Sequence, residues 1–116
     1  MKNLKNSVQL VGFLGKDPEV TVFQSGKKKA KFLLATREYY RNPQGEQSTQ
    51  TQWHYVVAWG RNATIAEQYL SKGRQVAIAG RLIHNSYQDS NGARQFVTEV
   101  LVNELIMLDR PSVSKA

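Results

Sequence analysis

The chain has 116 residues, 41% of them hydrophobic, which suffices for one domain with a single core and leaves too little for a second. The absence of cysteine and the isolation of the two histidines, His54 and His84, exclude a disulfide framework and a thiolate or clustered-histidine metal site, so no cofactor is expected. Sixteen Lys and Arg against nine Asp and Glu give a net charge of +7, which favours a polyanionic partner, and the basic N-terminus runs into alternating sequence rather than the apolar stretch of a signal peptide or membrane helix; a soluble intracellular protein is expected.

Residues 6–14 alternate as a strand, with Val8, Leu10 and Leu14 on one face and Gln9, Val11 and Phe13 on the other. Gly12 and Gly15 interrupt the pattern as a bulge or bend would, and Lys16-Asp17-Pro18 supplies a turn. A short β-prone run, residues 20–23, is closed by Ser25-Gly26 and by Lys27-Lys28-Lys29, which reads as a solvated turn or a phosphate-facing ridge. The second strand, residues 30–37, sets Ala30, Phe32, Leu34 and Thr36 against Lys31, Leu33, Ala35 and Arg37. The polar stretch 42–48 is expected to be a long, mobile hairpin loop.

In the third strand, residues 51–59, Trp53, Tyr55, Val57 and Trp59 share one face and His54, Val56 and Ala58 the other. Residues 63–70 carry helical apolar spacing and end before Lys72-Gly73, a basic last turn and a glycine stop. Two long strands, 74–87 and 95–108, are joined by the turn-forming residues 88–93. Three strands, one helix and a two-stranded hairpin make an all-β chain with one helix, and the order matches the OB-fold, a five-stranded Greek-key β-barrel with its helix between strands 3 and 4. The barrel domain is expected to span residues 1–109, with 110–116 a short polar tail.

Stacking on nucleic-acid bases needs exposed π-faces along a groove with cations nearby for the phosphates. Trp53 and Trp59 meet that need, and packing inside the barrel is the competing use of two large aromatics. The apolar face opposite them, His54, Val56 and Ala58, favours the outward reading. Tyr87, on one strand face with Arg81, Ile83 and Asn85, ranks next, followed by Tyr40 and Tyr55. Lys31, Arg37, Arg41, Arg61, Lys72, Arg74, Arg81 and Arg94 are each candidates to neutralise one phosphate. There is no Ser/His/Asp spacing with a glycine elbow, no phosphate-binding glycine loop, no paired carboxylates and no metal-ligand pattern, so catalysis is not expected. His54, lacking a carboxylate partner in sequence, reads as a packing or interface residue.

Residues 6–19, NSVQLVGFLGKDPE, together with Leu34-Ala35-Thr36, Thr51-Gln52-Trp53-His54, Tyr69-Leu70-Ser71-Lys72-Gly73, Val76-Ala77-Ile78-Ala79-Gly80 and Thr98-Glu99-Val100, are similar to bacterial-type single-stranded DNA-binding proteins. The resemblance spans nearly all of 6–108 and lies in the joint order and spacing of these segments. It implies a cytoplasmic, nucleoid-associated OB-fold homotetramer that coats single-stranded DNA in replication, recombination and repair, with little sequence preference. It further implies stacking by Trp53, Trp59 and Tyr87, with Trp59 where phenylalanine is common and Tyr87 where tryptophan is common. Tyr40 matches another aromatic position, His54 a subunit contact, and Arg61 and Lys72 basic positions that meet the DNA backbone.

The chain departs from that pattern twice. Ile83-His84-Asn85-Ser86 stands where a strongly basic segment is usual, a loss for which Lys31 and Arg37 are the expected compensation. The sequence ends Arg110-Pro111-Ser112-Val113-Ser114-Lys115-Ala116 without the family's acidic, phenylalanine-terminated tip, so recruitment of replication and repair proteins through it is not expected. A primosomal accessory OB protein and an RNA-binding OB module are the alternative readings.

Overall fold

Apolar alternation produces six strands and one helix in the computed structural model, which describes residues 5–108. In chain order they are β1 (Val8–Leu14), β2 (Glu19–Val22), β3 (Lys28–Arg41), β4 (Gln47–Trp59), α1 (Arg61–Tyr69), β5 (Gln75–Gln88) and β6 (Arg94–Met107). The expected tail at 110–116 lies outside the described residues.

The sheet closes on itself through β1. Its first part pairs antiparallel with β5, from Val8↔Gly80 to Phe13↔Gln75, and its end crosses to β3 at Phe13↔Ala35 and Leu14↔Leu34. Gly12 permits the crossing, because a Cβ there would lie 2.9 Å from the Ala35 carbonyl carbon and overlap its oxygen. β3 continues antiparallel onto β4, β4 runs parallel to β6 over Tyr55↔Glu99 to Val57↔Leu101, and β6 returns antiparallel to β5. Five long strands thus form the closed OB-type barrel, with α1 between the third and the fourth of them.

The core is the inward half of each alternation. Leu34, Val56 and Val76 are fully buried and meet Leu14, Phe32, Ile78, Val100 and Val102. Burying each such side chain contributes about 1.5–3 kcal/mol. α1 covers the barrel with Ala63 and Ala66, three apart on one face and both fully buried, whose small side chains let the helix sit close to the strands.

Three local expectations change. The run at 20–23 becomes a sixth strand, β2, paired to the start of β3 through a tight turn at 23–27. The hairpin loop is shorter than expected: pairing persists to Arg41↔Gln47, and Asn42 accepts the Glu46 N–H at 2.8 Å while its amide donates to Glu46 Oε1 at 2.9 Å. An asparagine able to bridge both sides of the turn closes it over residues 42–46. The helix stops at Tyr69, its last turn holds no basic residue, and Lys72-Gly73 lies in the turn beyond. The guanidinium of Arg74 reaches back instead, Nη1 donating to the Tyr69 carbonyl at 2.9 Å.

Candidate nucleic-acid interface

The register of β3 on β4 assembles the site. Residues directly opposite one another share a face, so Ala35↔Trp53, Leu33↔Tyr55, Lys31↔Val57 and Lys29↔Trp59 form successive rungs of one outward surface. Trp53 is 56% exposed, Tyr55 53% and Trp59 40%. Val57 is the exception in this row, buried between its register partners Lys31 and Leu101. An exposed aromatic row backed by a filled core satisfies the geometric requirement for stacking.

Local contacts orient these rings. The Trp53 ring rests on the backbone at Gly15, whose N–H is fixed by the Leu33 carbonyl at 3.0 Å. Trp59 stacks with Phe23 at a centroid separation of 5.9 Å, and Lys29 Nζ lies 5.4 Å from the Trp59 centroid. Phe13 reaches the same surface through its pairing with Ala35, and the Arg37 guanidinium lies 5.9 Å from the Phe13 ring. Beside Tyr55 opens a groove of about 300 Å³ whose lining includes Lys16, Asp17, Glu19, Lys31 and Leu33.

The cations fall into groups. Lys31 lines the groove and Arg37 covers Phe13. Lys72 is exposed near the groove's rim, its N–H donating to Asp17 Oδ1 at 2.8 Å. Arg61 opens α1 and is exposed; Arg41 donates to the Gly45 carbonyl at the β3–β4 tip. Arg81 is exposed on the β5 face that carries Ile83, Asn85 and Tyr87. That face joins the aromatic surface, since Tyr55, Glu99 and Ile83 lie in one row across β4, β6 and β5. Arg74, half-buried, is engaged by the Tyr69 carbonyl and Met107 Sδ.

Pleating separates two of the other candidates from the surface. Tyr40 pairs with Ser48 on the strand face opposite Trp53, which places Tyr39, Arg37 and Arg41 on the Trp53 side. Arg94 shares its face with Ser86, to whose Oγ it donates at 3.4 Å, and not with Tyr87. His54 faces inward, half-buried, with Nε2 2.9 Å from Thr36 Oγ1.

The segment Ile83-His84-Asn85-Ser86 serves the sheet itself. Asn85 Nδ2 donates to Glu99 Oε1 at 2.7 Å, satisfying a carboxylate that is buried on the outward face beside Tyr55, and His84 Nδ1 lies 2.9 Å from Thr98 Oγ1. Phe13 and Phe23 were not singled out as site residues from sequence, and Lys29 only as part of the Lys27-Lys28-Lys29 run. Phe13 carried a signal, its place with Gln9 on the strand-one face opposite Val8, Leu10 and Leu14, whereas Phe23 becomes recognisable only when the β2–β3 turn brings it to Trp59. Among the described residues no group of three or more His, Asp or Glu is placed to hold a metal ion, and no helix is long and apolar enough to cross a membrane.

Residues 5–108 match the family described as the single-strand binding protein family. The chain is 43% identical over 104 residues to single-stranded DNA-binding protein 1 of Chlorobaculum tepidum, covering 89% of this chain and 64% of that protein. Its fold superposes on the Plasmodium falciparum SSB complex with ssDNA with a TM-score of 0.82 at 32% identity, covering 94% of this chain and 98% of the other. The chain thus spans somewhat under two thirds of the curated relative's length.

Proposed function

The chain belongs to the single-strand binding protein family, and on that premise we propose that it binds single-stranded DNA without strong sequence preference, protecting and organising it in replication, recombination and repair. It does so without turnover. The observation that carries the reading is the outward row of Trp53, Tyr55 and Trp59 with Lys29 and Lys31 on the neighbouring strand. Each base stacked on such a ring contributes about 1–3 kcal/mol, and the lysines neutralise phosphates on the same rungs. Tyr87 extends the row along β5, with Arg81 on the same face.

The working unit is a homotetramer in the cytoplasm, associated with nucleoid DNA. Support comes from β1, which among the described residues pairs over 8–12 with β5 alone and so offers an edge, and from the exposed Val11 and Ile106, which flank Ala77 on the adjoining face. His54 contributes to subunit contact from its place beside Thr36.

Titration of intrinsic tryptophan fluorescence with oligothymidylate at several salt concentrations tests the proposal. Quenching that weakens in affinity as salt rises is expected, with duplex DNA and matched RNA competing poorly. Unchanged fluorescence across the titration overturns it, and preferential competition by RNA reassigns the substrate.

A further inference from the structure

Glu99 is the one polar or charged residue among those described that is buried, 5% exposed, and it lies on the outward face of β6. In register it stands between Tyr55 of β4 and Ile83 of β5, and Val97 and Leu101, its neighbours on that face, are half-buried. Asn85 Nδ2 donates to its Oε1 at 2.7 Å. That bond satisfies an oxygen but brings no charge, and among the described residues no Lys or Arg is paired with the carboxylate. A hydrophobic side chain of similar size would serve packing there at least as well, so stability does not call for a buried carboxylate. The cations stand apart from it. Lys31 and Arg81 end the neighbouring row, which runs Lys31↔Val57, Val57↔Leu101 and Leu101↔Arg81, three strand spacings or about 14 Å across.

We propose that Glu99 is a specificity residue that bars phosphate from the centre of this face and so rejects duplex DNA, an inference that rests on the single-stranded DNA reading above. A charge held out of water without a counter-charge is weakly screened, and it repels a phosphate brought onto the same face. A single strand avoids that repulsion by turning its bases to the aromatic row and leaving its phosphates to Lys31 and Arg81 at the sides. A duplex cannot, because its bases are paired inside and phosphates form its outer surface. One drawn to the chain by the net charge of +7 therefore brings phosphate against Glu99. The carboxylate acts against the wrong ligand and adds no contact to the right one.

The test compares the full chain with Glu99→Gln, Asn85→Arg and Glu38→Gln on two probes, oligothymidylate and a duplex of equal length, at low salt. Glu99→Gln keeps the shape and an acceptor for Asn85. Asn85→Arg leaves the glutamate in place and puts a cation on it, and it decides by the same criteria should Glu99→Gln fail to fold. Glu38, exposed on the β3 face opposite Trp53, controls for net charge. In Glu99→Gln and Asn85→Arg the ratio of oligothymidylate to duplex affinity is expected to fall about tenfold, through tighter binding of the duplex. Glu38→Gln is expected to shift that ratio by less than about twofold. An unchanged ratio in Glu99→Gln, an equal gain on both probes, or an equal shift in Glu38→Gln overturns the proposal and leaves the broader reading intact. Failure of the wild type to bind oligothymidylate overturns both.

Discussion

Gly15 and Trp53 touch at a position that only a hydrogen can fill: a Cβ on Gly15 would lie 2.9 Å from Cη2 of the indole and closer still to Cζ3. The glycine belongs to the β1–β2 turn and the tryptophan to the middle of β4, so the contact bridges two elements that do not pair there. Because the Gly15 N–H is bonded to the Leu33 carbonyl, the backbone cannot retreat, and any added side chain must move the ring. Gly15→Ala is therefore expected to leave the barrel folded, since Trp53 is more than half exposed, and to lower affinity for oligothymidylate about tenfold by misplacing the stacking surface. A shift in Trp53 emission with an unchanged melting temperature, measured beside the binding curve, checks both halves.

Trp53 and Trp59 are about 20 Å apart along β4, beyond the range at which substitutions usually couple. Trp53→Ala and Trp59→Ala are each expected to cost about 1–3 kcal/mol of binding, and the double variant their sum to within about 0.5 kcal/mol. Calorimetric titration of the four proteins closes the cycle. A double variant no weaker than either single one would mean that the strand never engages both rings at once.

The barrel was legible because strand alternation reports directly which side chains face the core, and Ala30, Phe32, Leu34, Val56 and Ala58 all fall inward as their spacing requires. The aromatic row was legible for the same reason. What sequence could not supply was register: Phe13 reaches the Trp53 surface only because β1 crosses to β3 at Ala35, and Phe23 reaches Trp59 only because β2 folds back on Lys28. Candidates chosen by charge or residue type without face information, such as Tyr40, Arg74 and Arg94, were scattered by pleating and by local bonds.

Asp89 organises the β5–β6 turn. Its carboxylate accepts from Gln95 Nε2 at 3.0 Å and from the N–H groups of Ala93 and Asn91 at 2.9 Å, and these bonds hold its pKa below the ordinary aspartate value, against a smaller opposing effect of desolvation. A lowered native pKa stabilises the turn fully above the unfolded value of about 3.9, and that contribution is lost as pH falls through the native value. Protection of the Ala93 and Asn91 amides, relative to their intrinsic exchange, is expected to fall as pH drops through the lowered native value of Asp89. Asp89→Asn should remove the pH step.

Gly12 and Gly80 are constrained by backbone, where Gly15 is constrained by a side chain, and that difference predicts a different phenotype. A Cβ at Gly12 would overlap the Ala35 carbonyl, and one at Gly80 the Leu101 carbonyl, where the β5–β6 register shifts between Ala79 and Gly80. Neither carbonyl can swing away without breaking strand pairing, so each alanine must spread the barrel. Overpacking of this kind costs about 1–3 kcal/mol. For a domain of this size 1 kcal/mol corresponds to about 4–8 °C in melting temperature. Gly12→Ala and Gly80→Ala are expected to lower the melting temperature by about 4–24 °C, whereas Gly15→Ala should alter binding with little change in melting. A thermal melt of the three variants in parallel tests the distinction: an unaffected Gly12→Ala protein would show that β1 can cross to β3 without the close approach.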